Sequence, residues 1–232
     1  MIRAIFRYAG ALVGIILIAL LAYQGYVLVK LWWWTDHNPS STAFMAARLE
    51  VIREKNPATK LKHQWVPYAK ISDHLKRAIL VAEDDKFVDH EGFDWEGIQK
   101  ALEKNQKKGK VVAGGSTISQ QLAKNLFLSG ERSLLRKGEE AIITVLMEWT
   151  MDKERIFEIY LNVIEWGEGV FGAEAAARHY YGVGAGQLSA EQAARLAAMV
   201  TRPRFYDRNR NAPWLMKKTQ IILERMPHAQ LP

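Results

Sequence analysis

Three short stretches of this chain carry side chains that could do chemistry together. In the first, Ala82-Glu83-Asp84-Asp85-Lys86-Phe87-Val88-Asp89-His90-Glu91-Gly92, carboxylates gather at the end of a helix whose earlier turns are apolar. A Glu at such an edge can be partly stripped of water, which raises it toward the range where it takes a proton from a hydroxyl. Glu83 borders the apolar run and is the better general base. Asp84 and Asp85 suit capping, hydrogen bonding or assistance to a metal. By spacing alone, an acidic helix end is more often plain surface.

The second stretch is Gly114-Gly115-Ser116-Thr117-Ile118-Ser119-Gln120-Gln121-Leu122-Ala123-Lys124-Asn125. Two glycines before a capped helix leave backbone N–H groups at a positive dipole end, where anionic oxygen binds. Lys124 follows Gln120 by four residues and Gln121 by three, so all three share a side of the helix. The third stretch, Ser133-Leu134-Leu135-Arg136-Lys137-Gly138-Glu139-Glu140, puts Glu140 one turn beyond Arg136 and Lys137. Alone, the second reads as a glycine turn before an ordinary helix, and the third as a helical ion pair of a few tenths of a kcal/mol. The third leads into Ala-Ile-Ile-Thr-Val-Leu-Met-Glu-Trp (141–149), which is apolar almost all round and predicts a buried central helix.

The elements that must hold these groups are mainly helical. Pro39-Ser40-Ser41 opens an amphipathic segment through Arg53, closed by Asn56-Pro57. Ser72 is placed to cap a helix through Ala82, Ser116 one through Leu126, and Ser189 with Gln192 forms a capping box. Val163 to Trp166 is too short to anchor a sheet. Lys100, Lys104, Lys107, Lys108 and Lys110 lack apolar periodicity and predict a mobile basic loop. Phe157, Tyr160 and Trp166 read as core, and His90 as a hydrogen-bonded turn residue.

From Tyr8 to Val29 no side chain is charged, and about 20 apolar residues suffice to cross a bilayer. Arg3 and Arg7 precede the run, which by the positive-inside rule leaves the N-terminus cytoplasmic and the rest outside. Trp32, Trp33 and Trp34 follow as an interfacial belt. A cleaved signal peptide is the alternative, but the run is long for one. The 32 Lys and Arg against 25 Asp and Glu favour acidic partners of any kind. With no cysteine, disulfides, thiolate metal sites and a cysteine nucleophile are excluded.

Taken together, these stretches resemble the peptidoglycan glycosyltransferase family, found in class A penicillin-binding proteins and in shorter monofunctional enzymes. Glu83-Asp84 through Gly92, Gly114 through Asn125, and Arg136-Lys137 with Glu140 are similar to its first three signatures, in order. Arg155-Ile156-Phe157-Glu158-Ile159-Tyr160-Leu161-Asn162 and Gly169-Val170-Phe171-Gly172-Ala173-Glu174-Ala175-Ala176-Ala177 resemble the fourth and fifth. Ser119 and Gly138 stand where the family often has Thr and Ala. The chain carries neither Ser-x-x-Lys nor Lys-Thr-Gly after these motifs, so it looks monofunctional.

The resemblance implies a mainly α chain: a transmembrane helix, then one lysozyme-like helical domain with a small membrane-associated jaw. Residues 1–7 are then a cytoplasmic N-terminus, 8–31 the anchor, 32–64 a membrane-proximal segment and 65–232 the glycosyltransferase domain. It implies polymerisation of lipid II onto a lipid-linked growing chain, with inversion at the anomeric carbon, at the outer face of a bacterial inner membrane. Glu83 is the base; Lys124, Arg136 and Lys137 meet the leaving pyrophosphate; Ser116, Gln120, Gln121, Asn125 and Asp84 bind substrate. Glu140, the second catalytic carboxylate, orients those cations or helps hold a divalent metal, Mg or Mn; no organic cofactor is implied. Partners are the bilayer, the two lipid-linked substrates and proteins of division or elongation, with no nucleic acid. Two rivals stay open at this point: a hydrolase using paired carboxylates, and a tethered scaffold indifferent to them.

Overall fold

The computed structural model describes residues 2–110, 114–128 and 133–232. Helix α1 covers Ile2–Trp33, and Phe6–Trp33, with a mean hydropathy of 2.3, is long and apolar enough to cross a membrane. Its final turns join the core, where Val27 and Leu31 are fully buried. Gln24 donates to Glu139 Oε1 at 2.7 Å. Beyond the helix end, Arg155 collects otherwise unsatisfied carbonyls, Nε donating to Trp34 O and Nη2 to His37 O, each at 2.8 Å. The three tryptophans part here. Trp32 and Trp33 are exposed, but Trp34 is buried against Phe127 with ring centroids 5.4 Å apart, so it belongs to the core and not to a belt.

Thr42 accepts from Met45 N at 3.1 Å and starts α2 (Ala43–Lys55), which Asn56 ends. After β1 (Lys62–His63) comes α3 (Asp73–Glu83). Ser72 precedes it without capping it, because its hydroxyl donates instead to Leu188 O at 3.0 Å. The basic stretch expected as a loop is helix α4 (Trp95–Lys108), which corrects that reading. Asp94 caps it through Gly97 N at 2.9 Å, Glu96 pairs with Lys100 one turn on, and Gly109 closes it at φ 62°. Caps and i,i+4 charge pairs supplement its narrow apolar face.

Helix α5 (Ile118–Phe127) is capped by Thr117, one residue later than expected. Thr117 Oγ1 accepts from Gln120 N at 3.2 Å, while Gln120 Oε1 accepts from Thr117 N at 3.1 Å. Helix α6 (Leu134–Thr150) is not buried all round: Glu140, Ile143, Thr144 and Met147 face inward, while Ile142, Val145 and Trp149 are exposed. The central helix is α7 (Lys153–Val163), in which Ile156, Phe157, Ile159, Tyr160 and Leu161 are all fully buried.

A small sheet does form around residues 165–171, contrary to expectation. β2 (Glu165–Gly167) and β3 (Val170–Phe171) join β1 in the order β1-β3-β2, with Lys62 opposite Val170 in parallel and Glu165 opposite Phe171 in antiparallel register. Asn162 makes this closure, accepting from Val66 N at 2.8 Å and donating to Val66 O at 2.9 Å. Gly172, at φ 82°, then lies so close that an added Cβ would stand 2.6 Å from Asn162 O. Helices α8 (Ala173–Tyr181), α9 (Ala190–Met199), α10 (Pro203–Arg208) and α11 (Pro213–Arg225) follow, with the expected Ser189–Gln192 box heading α9. Helix α9 packs against both α3 and α11.

Replacing Asn162 by Ala strands two buried backbone groups of Val66, a loss of about 1–3 kcal/mol for each, read as a lower thermal midpoint by circular dichroism in detergent. Gly138, inside α6, has nothing within 4 Å of an added Cβ. Gly138→Ala should therefore raise the same midpoint, by roughly 0.5–1 kcal/mol of stability.

Candidate active site

Glu83 is the last residue of α3. Leu75, Ala78, Ile79 and Leu80 draw that helix into the core and carry Glu83 with them, leaving its side chain 13% exposed. Gln121 Nε2 donates to Glu83 Oε2 at 3.0 Å, and Gln121 is itself held by the Tyr160 hydroxyl, which donates to its Oε1 at 3.1 Å. Glu83 Oε1 accepts no hydrogen bond among the described residues; Lys218 Nζ stands 3.9 Å from it. Burial raises the carboxyl above its usual range, against the opposing pull of Lys218, the Gln121 hydrogen bond and Lys124. The fully buried Tyr160 phenol is pushed well above its ordinary value, by burial first and then by Glu83 and Asp84, so it stays a donor.

Two cavities flank this carboxylate. The smaller, about 230 Å³, is lined by Glu83, Asp84, Gly114, Gly115, Ser116 and Arg225 among others. Ser116 Oγ accepts from Lys137 Nζ at 3.4 Å, and Lys137 pairs with Glu140, whose other oxygen lies 3.5 Å from Arg136 Nη1. The larger, about 730 Å³, is lined by Gln121, Lys124 and Asn125 together with Arg48, Arg202, Arg204 and Arg208. Gln121 is the partition: bonded to Glu83, it also walls the larger space. Glu83 and Ser116 thus line the smaller cavity and Gln121, Lys124 and Asn125 the larger, while Arg136, Lys137 and Glu140 line neither and reach the site through the contact of Lys137 with Ser116.

Two of the proposed substrate ligands serve the frame. Asp84, buried, accepts from Ile118 N at 3.0 Å and meets His90 Nε2 at 3.0 Å, so it fastens the start of α5 to the end of α3. Gln120, also buried, spends its amide oxygen on the capping box and lines neither cavity. Ser119, at the family's usual Thr position, keeps a hydroxyl in use by donating to Glu148. His90 is the hydrogen-bonded turn residue expected.

Glu140 is buried between Lys137 and Arg136. A hard cation wants several oxygen ligands, and among the described residues no three His, Cys, Asp or Glu side chains converge. With both Glu140 oxygens facing cations, the arrangement does not fit a resident metal. It does fit a counter-charge that orients two cations.

Over residues 49–227 the sequence matches the family profile described as Transglycosylase. The chain belongs to the transglycosylase family. This transglycosylase is 66% identical over 221 residues to the biosynthetic peptidoglycan transglycosylase of Dechloromonas aromatica, covering 95% of this chain and 94% of that one. It is 62% identical over 220 residues to that of a Janthinobacterium species, at 95% and 94% coverage, and 60% identical over 232 residues to that of Methylobacillus flagellatus, along the whole of both chains.

Sequence reasoning missed several residues of the transglycosylase site. Tyr160 read only as core, and nothing local marks its hydroxyl as the hold on Gln121. Arg202, Arg204 and Arg208 form a visible basic run whose meaning needed the fold, since α10 brings them opposite Lys124. Lys218 carries no motif at all. In variant form, Asp84→Ala should lower the unfolding midpoint by an amount matching about 1–3 kcal/mol, because Ile118 N–H is left without its acceptor. Ser116→Ala should leave that midpoint nearly unchanged and act on KM, a contrast that thermal melts and steady-state kinetics read side by side.

Proposed function

We propose that this transglycosylase polymerises peptidoglycan glycan strands, joining lipid II to a growing chain carried on polyprenyl pyrophosphate. The observation that carries the reading is Glu83: a desolvated carboxylate with one oxygen fastened to Gln121 and the other open, between two cavities edged with cations. Two lipid-linked sugars must meet for this reaction, and a base must stand where they meet.

In the step itself, the 4-hydroxyl oxygen of the acceptor sugar forms a bond to the donor's anomeric carbon. The bond from that carbon to pyrophosphate breaks, its electron pair leaving with the phosphate, and the configuration inverts from α to β. Glu83 Oε1 takes the hydroxyl proton. Lys124, Arg136 and Lys137 supply charge for the departing pyrophosphate, the last two aligned by Glu140. Asn125, on the wall beside Lys124, offers an amide to sugar or phosphate oxygen.

Location follows from the same reading. Helix α1 has the length and hydropathy of a span, and Arg3 and Arg7 before it favour a cytoplasmic N-terminus with the catalytic domain outside. The exposed Ile142, Val145 and Trp149 of α6, a helix that packs along α1, give the domain an apolar side toward the bilayer. Confinement of enzyme and substrates to one plane raises their effective concentration.

Full-length protein incubated with labelled lipid II should yield glycan polymer. Glu83→Gln, folded as judged by its melt, should lose at least about 100-fold in kcat; substantial residual turnover would remove Glu83 from the base role. Because burial raises this carboxyl, kcat/KM should climb with pH along a limb above the ordinary carboxylate range, as the base must be ionised to work.

A further inference from the structure

We propose that Lys218 is a positioning residue of this site, its ammonium, steadied by Thr201, supplying the counter-charge that keeps Glu83 ready to accept a proton. The proposal rests on the reading of Glu83 as the base.

The geometry is unusual for an ion pair. Lys218 Nζ lies 3.9 Å from Glu83 Oε1, beyond hydrogen-bond reach, with the two side chains only 21% and 13% exposed. A lysine free to move would close that gap, since charges attract strongly where water is scarce. Lys218 is restrained because its Nζ also donates to Thr201 Oγ1, across from α11. The consequence is chemical. A closed salt bridge would occupy Oε1 and lower its appetite for a proton, whereas a cation held at a distance favours ionisation and leaves the lone pairs open.

The other groups facing Glu83 do not substitute for it: Arg225 of α11 shares the smaller cavity but is paired there with Asp85 at 2.8 Å. Asp84, next in sequence, is negative and bound to Ile118 N and His90. From α7, Tyr160 faces the site as a neutral donor to Gln121. From α5, Lys124 adds positive charge but lines the larger cavity, where its charge is shared with any anion bound there. Lys218 lines neither cavity. Burial pulls its ammonium below the usual lysine range and Glu83 pushes it back, so each group sustains the charge of the other. Thr201, which holds Lys218, lines the larger cavity, so the ammonium is fixed from the wall of the basic compartment.

The test is the pH dependence of kcat and KM for the full-length protein on labelled lipid II, in wild type, Lys218→Met and Lys218→Arg. Lys218→Met should move the acid limb of kcat/KM to higher pH, an activity loss of about tenfold on that limb, with the plateau above it and KM retained. Lys218→Arg should restore the wild-type limb. Thr201→Val gives an opposite signature, freeing the ammonium to close on Oε1: the limb moves to lower pH and the plateau falls. It serves equally if Lys218→Met fails to fold. A loss that is uniform across pH, or carried by KM, overturns the proposal and makes Lys218 a structural or substrate-binding residue. Glu83→Gln separates the two claims: if it abolishes turnover while the Lys218→Met limb stays put, the positioning role alone falls; if it retains turnover, the base reading falls first.

Discussion

A carboxylate drained of water needs its charge balanced, and the way Glu83 is balanced organises the rest of this protein. One oxygen is tied by a neutral amide, Gln121, and the other is watched from 3.9 Å by Lys218. Each support comes from a different helix. Helix α5 brings Gln121 and Lys124, α7 brings the Tyr160 hydroxyl that aims Gln121, and α11 brings Lys218. Their packing around the end of α3 is the condition for a base that is both ionisable and unoccupied. Hydrogen bonds of this kind gain strength where the dielectric is low, and they are costly there when left unmade.

Much of this was legible from the residues. The helical class and the apolar span at the N-terminus followed from patterning, whereas the grouping of Glu83 with the glycine turn, Lys124 and the Arg136-Lys137-Glu140 triplet came from the resemblance to the peptidoglycan glycosyltransferase family; the transglycosylase family is shown by the comparisons. What escaped had identifiable causes. Helix α4 escaped because its inward face is narrow, little more than Ile98 and Ala101, and its ends are set by Asp94 and Gly109. The centrality of α6 was overstated because apolar composition cannot say which side meets protein; Ile142, Val145 and Trp149 face away from it. Gln120 closes a capping box with Thr117, so a residue that reads as a substrate ligand spends its amide on starting a helix. Lys218 could not be found at all, since nothing in its own neighbourhood of sequence refers to Glu83.

The second carboxylate illustrates how position decides role. Glu83 and Glu140 are chemically the same side chain, and both are largely enclosed. Glu140 sits within reach of Lys137 and Arg136, one turn earlier on its own helix, and its charge is spent holding them. Glu83 has cations only at a remove and retains an oxygen for chemistry. Two carboxylates in one neighbourhood are in this way kept apart in function, one by the cations it holds and the other by the distance of its own.

The Arg155 clamp has a mechanical meaning. The last turns of α1 are sealed into the core, and the carbonyls of Trp34 and His37 just beyond them are stitched to Arg155 of α7. An apolar helix long enough to cross a membrane and the carboxylate Glu83 therefore belong to one packed body, since Val27, Leu31 and Trp34 share a core with the α3 residues that carry Glu83.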